Sequence, residues 1–229
     1  MESTPSQSPH DPAGPTLGWR AREIEQELPA LRLHSAQAQL ARGKALTGAS
    51  PPGVVARLRE HANRLRGARA VALRREPIPA AYRLFFRHIG LDPDVVRTPI
   101  EQAALGRMFD GGFATGGLLA DVLLIALMDM GVPVWALDSQ YLDGPLGIRP
   151  SREGEPLGRA AEARALSADR LVVADASAAL AILFGDLAAG HEPQATTSRL
   201  TLFSVQVAGV PTLYVEEALW SVRTALEAV

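Results

Sequence analysis

Cysteine is absent from the chain, Lys44 is its one lysine, and aromatic residues make up only 5% of it. Without cysteine, the protein forms no disulfide, no thiolate metal site and no thiol nucleophile. No apolar run reaches the roughly 18 residues that a membrane helix needs. The first residues also lack the basic and apolar regions of a secretory signal. These absences favour a cytoplasmic protein that does not contact a membrane.

Several common catalytic signatures are also missing. The sequence contains no G-x-S-x-G elbow, no G-x-x-x-x-G-K phosphate loop and no G-x-G-x-x-G dinucleotide fingerprint. Its five histidines show no H-E-x-x-H or comparable ligand spacing, and no cysteine is available to join them. We therefore expect no metal and no cofactor.

The composition is that of a globular protein with an uneven distribution of charge. A chain of 229 residues with 47% hydrophobic content is long enough for one large domain, or one domain with an appendage, around a sizeable core. Residues 1–110 carry 16 Lys and Arg against 11 Asp and Glu, whereas residues 111–229 carry 7 against 14. Any attraction to a polyanion must come mainly from the first part of the chain.

The N-terminal third divides into a tail and a basic region. Residues 1–17 are rich in Pro and Ser, which is typical of a disordered tail. Residues 18–76 are predicted to form an Arg-rich helical extension, with leucines in its first part that indicate one or two helices broken near Pro29. Residues 54–75 form the next predicted helix and contain seven arginines.

That arginine-rich helix permits two interpretations. A row of guanidinium groups is able to bind phosphates, which makes Arg57, Arg64 and Arg66 candidate contacts for RNA. The alternative is a solvated helix face in a chain whose basic residues are almost all arginine.

The stretch 118–157 contains the most informative pattern. Residues 121–130 are good helix formers, and Gly131 stands where a left-handed C-terminal cap belongs. Residues 134–137 have strand propensity, and an Asp-Gly-Pro turn precedes a second predicted strand at 146–149. The unit is therefore predicted as helix, strand, turn and strand.

The flanking regions add further helices and strands. Residues 80–89 are predicted as a helix, and a second helix follows Thr98, which forms a capping box with Glu101. Residues 178–184 are apolar and fit a strand or a helix. The remaining predictions are strands at 171–175, 199–207 and 212–215, and an amphipathic helix at 216–229.

The order of these features resembles that of the B3/B4 domain, which occurs in the beta subunit of bacterial phenylalanyl-tRNA synthetase and as free-standing proteins. Two further stretches fit in the same order, IPAAYRLFFRHIGLDPDVVRTPIEQ before the central unit and LVVADASAALA after it. The resemblance implies an α+β fold at 77–229 with a β-rich core, a β-sandwich with packed helices. The matching positions are Asp121, Gly131, Pro133, Ala136, Asp138, Gly144, Arg149, Glu153, Gly154 and Glu155.

The resemblance also implies a pocket. In the synthetase, this domain removes wrongly attached tyrosine from tRNA by means of three polar side chains, and the matching positions here are Leu124, Trp135 and Phe203. Leu, Trp and Phe cannot position a hydrolytic water as those groups do, because Leu and Phe side chains form no hydrogen bond and indole only donates one. We therefore do not expect the same editing chemistry. The implied pocket residues are Leu124, Trp135, Ala136, Asp138 and Phe203.

Three functions remain open at this point. The first is a module that binds tRNA or an aminoacyl group without a synthetase core, the second is a free-standing aminoacyl-tRNA deacylase, and the third is a scaffold. Trp135 and Phe203 either line an apolar pocket or fill it as core residues. Arg149, Glu153 and Glu155 either line a ligand site or form a charged turn at the end of a strand.

Overall fold

The computed structural model describes residues 14–40 and 46–228. Two four-stranded sheets form its framework. The first sheet has the order β1-β3-β8-β4 and is antiparallel throughout. Its centre is the long pair of β3 and β8, in register from Arg32 opposite Gln206 to Gln39 opposite Arg199. The four strands are β1 (Thr16–Leu17), β3 (Arg32–Gln39), β4 (Val134–Asp138) and β8 (Arg199–Gln206).

The second sheet has the order β2-β5-β6-β7. Its first pair, β2 and β5, is parallel, whereas β5 with β6 and β6 with β7 are antiparallel. The chain thus enters the first sheet at β1 and the second sheet at β2, with only Gly18 between them. The strands are β2 (Trp19–Arg20), β5 (Gly147–Pro150), β6 (Leu171–Ala174) and β7 (Ala179–Ile182).

Seven helices accompany the sheets in the described ranges, and the predicted α+β class is confirmed. Short 3₁₀ turns occur at Leu73–Arg75 and Ser139–Tyr141. The helices are α1 (Arg22–Glu27), α2 (Pro52–Arg64), α3 (Ala68–Ala72), α4 (Pro77–His88), α5 (Pro99–Asp110), α6 (Leu118–Met130) and α7 (Thr212–Glu227).

One principal core contains side chains from both sheets and from helices α4, α6 and α7. The central strand β8 is buried at six consecutive positions, which is expected of a strand covered on both faces. Helix α7 contributes a stripe at helical spacing, in which Val215, Leu219, Val222 and Leu226 are all buried. These contacts fix the sheets and the long helices relative to one another.

Two glycines allow the backbones to approach closely where β2 meets β5. A Cβ atom at Gly18 would lie 2.4 Å from the carbonyl oxygen of Leu146. A Cβ atom at Gly147 would lie 2.1 Å from the ring of Trp19. Any side chain at either position would separate the strands, so the pairing of β2 with β5 requires glycine at both.

Local signals in the sequence predicted most of the later elements correctly. Helix α5 begins with the predicted capping box, in which the Glu101 carboxylate accepts hydrogen bonds from the backbone and the hydroxyl of Thr98. Helix α6 ends at Gly131, which has the left-handed φ of 70°. The strands predicted at 134–137, 146–149, 171–175 and 199–207 correspond to β4, β5, β6 and β8, and 178–184 contains strand β7.

The predicted helical extension is wrong in its first part. Residues 32–39 form strand β3 at the centre of the first sheet, and helix α1 covers only Arg22–Glu27. In β3 the exposed side chains of Gln37 and Gln39 alternate with the buried side chains of Ala36 and Ala38, a period of two that the leucine spacing obscured. Among the described residues of the region 18–76, only α2 and α3 are the Arg-rich helices that were predicted.

Two further predictions concern the start of the last helix and the N-terminal tail. The strand predicted at 212–215 is wrong, because this segment is the first turn of α7, which follows Pro211. Of the predicted disordered tail, residues 1–13 lie outside the described residues, and Thr16–Leu17 forms strand β1.

Candidate ligand-binding cleft

A cleft with a volume of about 500 Å³ lies where helices α5 and α6 approach strand β4. Helix α6 contributes Leu123, Leu124 and Leu127, and the start of β4 contributes Val134 and Trp135. The third wall is the loop that follows β7, and the fourth is the beginning of α5 together with Arg97, two residues before the helix. The cleft therefore brings together two helices, a strand and a loop of the fold.

Aromatic contacts hold Trp135 in place at this cleft. Its ring stacks on that of Phe203, the opposite residue on β8, with centroids 5.5 Å apart and planes at 14°. It also meets the ring of Phe184 edge-on at 5.8 Å. Phe203 is only 2% exposed and lies beneath Trp135, so Trp135 forms the wall and Phe203 supports it.

Phe184 is a wall residue that the sequence did not indicate as functional. It has a φ of 59°, which is unusual for a bulky side chain. Its ring contacts those of Tyr82, Phe85 and Phe86 at 5.4 to 5.8 Å, in addition to Trp135. This cluster stabilises the strained backbone. The available signal was an aromatic residue before a Gly-Asp turn at the end of a strand.

The rim of the cleft carries polar groups. Arg97 and Gln102 line it on one side and Asp186 lines it on the other. Asp186 is paired with Arg164, with a guanidinium nitrogen 3.1 Å from the carboxylate. Arg97 is exposed. The cleft thus combines apolar walls with charged groups at its mouth, as small-ligand sites commonly do.

The structure places only part of the predicted pocket at the cleft. Leu124 and Trp135 line it, whereas Ala136 is 3% exposed and Phe203 is 2% exposed, and neither lines it. Asp138 is also buried, and its carboxylate accepts hydrogen bonds from Gln140 N–H and from the Thr197 hydroxyl. Its own backbone N–H donates to the His191 carbonyl at 3.0 Å. In this structure, Asp138 fixes the end of β4.

The arginines predicted to contact RNA are engaged with polar neighbours. The Arg57 guanidinium lies 3.0 Å from the Asp129 carboxylate and 3.7 Å from that of Glu60. Arg64 is paired with the same Glu60 at 3.0 Å, and Arg66 donates a hydrogen bond to Asn63. These contacts offset part of the positive charge on α2.

The charged turn after β5 is an ion-paired structure away from the cleft. The Arg149 guanidinium donates hydrogen bonds to both carboxylate oxygens of Glu155, and the Glu153 carboxylate accepts from Ala168 N–H. The bonds from Arg149 hold the pKa of Glu155 below its ordinary value, although burial opposes them. These contacts fit the interpretation of a charged turn at the end of a strand.

A second polar cluster surrounds Asp175, whose side chain has no exposed surface. Burial favours its neutral form, but backbone N–H groups of Asp143, Ser177 and Ala178 and the guanidinium of Arg159 outweigh burial and lower its pKa. Arg159 also contacts Nε2 of His191 at 2.7 Å. The sequence did not indicate this cluster. The available signal was an Asp-x-Ser turn after a buried strand.

Within residues 14–40 and 46–228, no group of three His, Asp or Glu side chains is arranged to hold a metal ion. Over the same ranges, no helix is both long enough and apolar enough to cross a membrane.

Half of the chain is similar to phenylalanine–tRNA ligase beta subunits. A segment of 118 residues is 33% identical to the subunit of Xylella fastidiosa strain Temecula1, and 114 residues are 29% identical to that of Xanthomonas axonopodis pv. citri. A third relative, from Xanthomonas campestris pv. campestris strain 8004, is 34% identical over 102 residues. The similar segment is thus related to a part of these beta subunits.

The similarity is confined to a small part of the relatives. The first two alignments cover 50% of this chain but only 14% of each beta subunit, and the third covers 43% and 12%. No protein-family model matches the chain.

Proposed function

We propose that the protein is a B3/B4-type binding module that accepts the aminoacyl end of a tRNA in the cleft beside Trp135. One observation carries this proposal: Leu124 and Trp135, which the resemblance to the B3/B4 domain assigns to its pocket, line one cleft of about 500 Å³. That volume lies within the roughly 300 to 1,000 Å³ of typical small-ligand sites. Similarity to beta subunits of phenylalanine–tRNA ligases supports an aminoacyl group as the ligand.

The walls suit an apolar side chain of the ligand. Leu124, Trp135 and Phe184 offer aliphatic and aromatic surface, and an aromatic ring in the cleft would meet the partly exposed face or edge of Trp135. A ligand with an apolar side chain would thus exchange water for hydrocarbon contacts on three sides.

The cleft is poorly equipped for hydrolysis. Among the described lining residues, Asp186 bears the one carboxylate, and it is paired with Arg164 on the surface. No described histidine lines the cleft. Hydrolysis needs a general base that reaches the attacking water in a proton-accepting state, and the described lining residues offer no such group inside the cleft. The proposed activity is therefore binding without turnover.

Blocking the cleft provides the test. Ala103 is a partly buried residue of α5 at the cleft wall, and Ala103→Trp would fill the cleft with an indole. Ala56→Trp is the matched control, because Ala56 is an exposed alanine on α2 that does not line the cleft. The probe is a non-hydrolysable amide analogue of phenylalanyl-adenosine, and its affinity is measured by isothermal titration calorimetry.

We expect the unmodified protein and Ala56→Trp to bind the analogue equally and Ala103→Trp to lose at least about tenfold in affinity, which corresponds to roughly 1.4 kcal/mol. Equal binding by both variants would place the ligand elsewhere and refute the proposal. Mischarged tRNA is incubated with the same samples. Its deacylation would identify a free-standing deacylase, and absence of both binding and deacylation would identify a scaffold.

A further inference from the structure

The acidic residues nearest to Arg97 in the sequence are committed to other partners. Arg83, which is 8% exposed, has guanidinium nitrogens in contact with the carboxylates of Asp94 and Glu101, the former at 2.8 Å. Asp94 also lies 3.8 Å from Arg74, and Glu101 accepts the hydrogen bonds of the Thr98 cap. A buried guanidinium needs such counterions, so Arg83 retains both carboxylates.

Among the described residues, Arg97 is consequently left without a neutralising group. In the part of the chain that the structure describes, it makes no ion pair and no side-chain hydrogen bond, although it is an exposed residue that lines the cleft. The carboxylate across the cleft, that of Asp186, is paired with Arg164 instead. The mouth of the cleft therefore has a positive charge without a partner among the residues that the structure describes, whereas Arg57 and Arg64 have carboxylates within 3.0 Å.

The backbone beside Arg97 is held firmly. Thr98 follows directly, is fully buried, and caps α5 through Glu101. Pro99 then begins the helix and lines the cleft together with Arg97. The root of the Arg97 side chain is thus fixed at the rim, and the residue is exposed to solvent.

Resting on the proposed function, we infer that Arg97 binds the phosphate of the terminal nucleotide when the aminoacyl group lies against Trp135. An aminoacyl ester has no free carboxylate, so the nearest anion of such a ligand is the phosphate on its ribose. A guanidinium donates two parallel hydrogen bonds to a phosphate, which an ammonium group does not reproduce. Arg97 would therefore anchor the nucleotide at the mouth of the cleft and orient the aminoacyl group inward.

The experiment compares two probes that differ by one phosphate. The first is the amide analogue of phenylalanyl-adenosine, and the second is the same compound with a 5′-phosphate. Both are titrated calorimetrically, at one fixed low salt concentration, into the full chain and into Arg97→Gln, Arg97→Lys and Arg57→Gln. Arg57→Gln is the matched control, because it removes an arginine that already has carboxylate partners.

In the unmodified chain, we expect the phosphate to raise affinity about tenfold, the scale of one charge-assisted contact. Arg97→Gln should abolish this gain, Arg97→Lys should retain a fraction of it, and Arg57→Gln should retain all of it. Persistence of the gain in Arg97→Gln, or its absence from the unmodified chain, would overturn the role of Arg97. Binding of the phosphate-free probe would then still support the aminoacyl site, whereas failure of that probe to bind would refute the proposed function itself.

Discussion

Replacing the buried Asp175 by asparagine tests whether its polar cluster holds the second sheet together. One carboxylate oxygen accepts hydrogen bonds from Asp143 N–H at 2.8 Å and from the Arg159 guanidinium at 2.5 Å. The other accepts from the N–H groups of Ser177 and Ala178, both at 2.9 Å. Asparagine keeps the shape but has one acceptor oxygen, so its amide NH₂ would face two donors.

The magnitude follows from the two hydrogen bonds that are lost with one acceptor oxygen. A hydrogen bond to a charged group contributes about 1.5 to 3 kcal/mol, and an unsatisfied buried N–H costs about 1 to 3 kcal/mol. The Arg159 side chain is 36% exposed, so water replaces part of its lost contact. We therefore expect Asp175→Asn to reduce the free energy of unfolding by about 3 kcal/mol, the lower end of the range for breaking a buried ion pair.

Urea unfolding measures this difference, with Asp186→Asn as the control. Asp186 is 73% exposed and its pair with Arg164 should contribute less than about 1 kcal/mol. If Asp175→Asn cost no more than the control, the account of Asp175 as the centre of a required network would be refuted.

The unmodified chain and Asp175→Asn should also differ in how their free energy of unfolding depends on pH. The pKa of Asp175 is lower in the folded chain than its ordinary value of 3.8, so below that value the unfolded chain binds more protons. Its contribution is complete above about pH 5 and is lost progressively as the pH falls through 3.8 toward the lowered folded-state pKa. Asp175→Asn should lack this part of the acid-induced loss of stability.

Two further predictions concern other parts of the molecule. Burial lowers the pKa of His61 below its ordinary value of 6.5, the charges of Arg57 and Arg64 lower it further, and the charge of Asp129 opposes this shift. The unfolded chain therefore binds a proton more readily than the folded chain, so the free energy of unfolding should decline as the pH falls through about 6.5. In urea titrations at pH 7 and pH 5, His61→Gln should show a smaller decline than the unmodified chain, and an equal decline would contradict this reasoning. Gly18→Ala should cost about 1 to 3 kcal/mol in thermal melts because its Cβ meets the carbonyl of Leu146; a melting temperature equal to that of the unmodified chain would show that the two sheets adjust easily.

Sequence reasoning succeeded where the determining interactions are local. The capping box of Thr98 with Glu101 and the left-handed cap at Gly131 involve residues within a few positions of each other, so their side-chain types alone specify the helix ends. Strand β3 was missed because its position depends on pairing with β8, which is far away in the sequence. Such pairing depends on tertiary packing, which local propensity does not encode.

The cleft likewise contains residues that the sequence indicated and residues that it did not. Leu124 and Trp135 were predicted from the resemblance to a known domain, and both line the cleft. Phe184 and Arg97 were missed as candidate site residues because they come from loops whose approach to β4 depends on the whole fold. Asp138 was assigned to the pocket, but its side chain is buried against Thr197 instead. The chemical character of a site residue is thus readable from sequence more easily than the direction in which its side chain points.

Strands β1 and β2 have a consequence for self-association. Each has two residues, and only Gly18 separates them, yet β1 pairs with His34 and Ser35 at the edge of β3 and β2 pairs with Gly147 and Ile148 at the edge of β5. An uncovered strand edge presents N–H and C=O groups that pair readily with another chain. Shortening the chain beyond residue 20 would uncover one edge in each sheet, including that of the eight-residue β3. We therefore expect this short segment to reduce edge-to-edge aggregation.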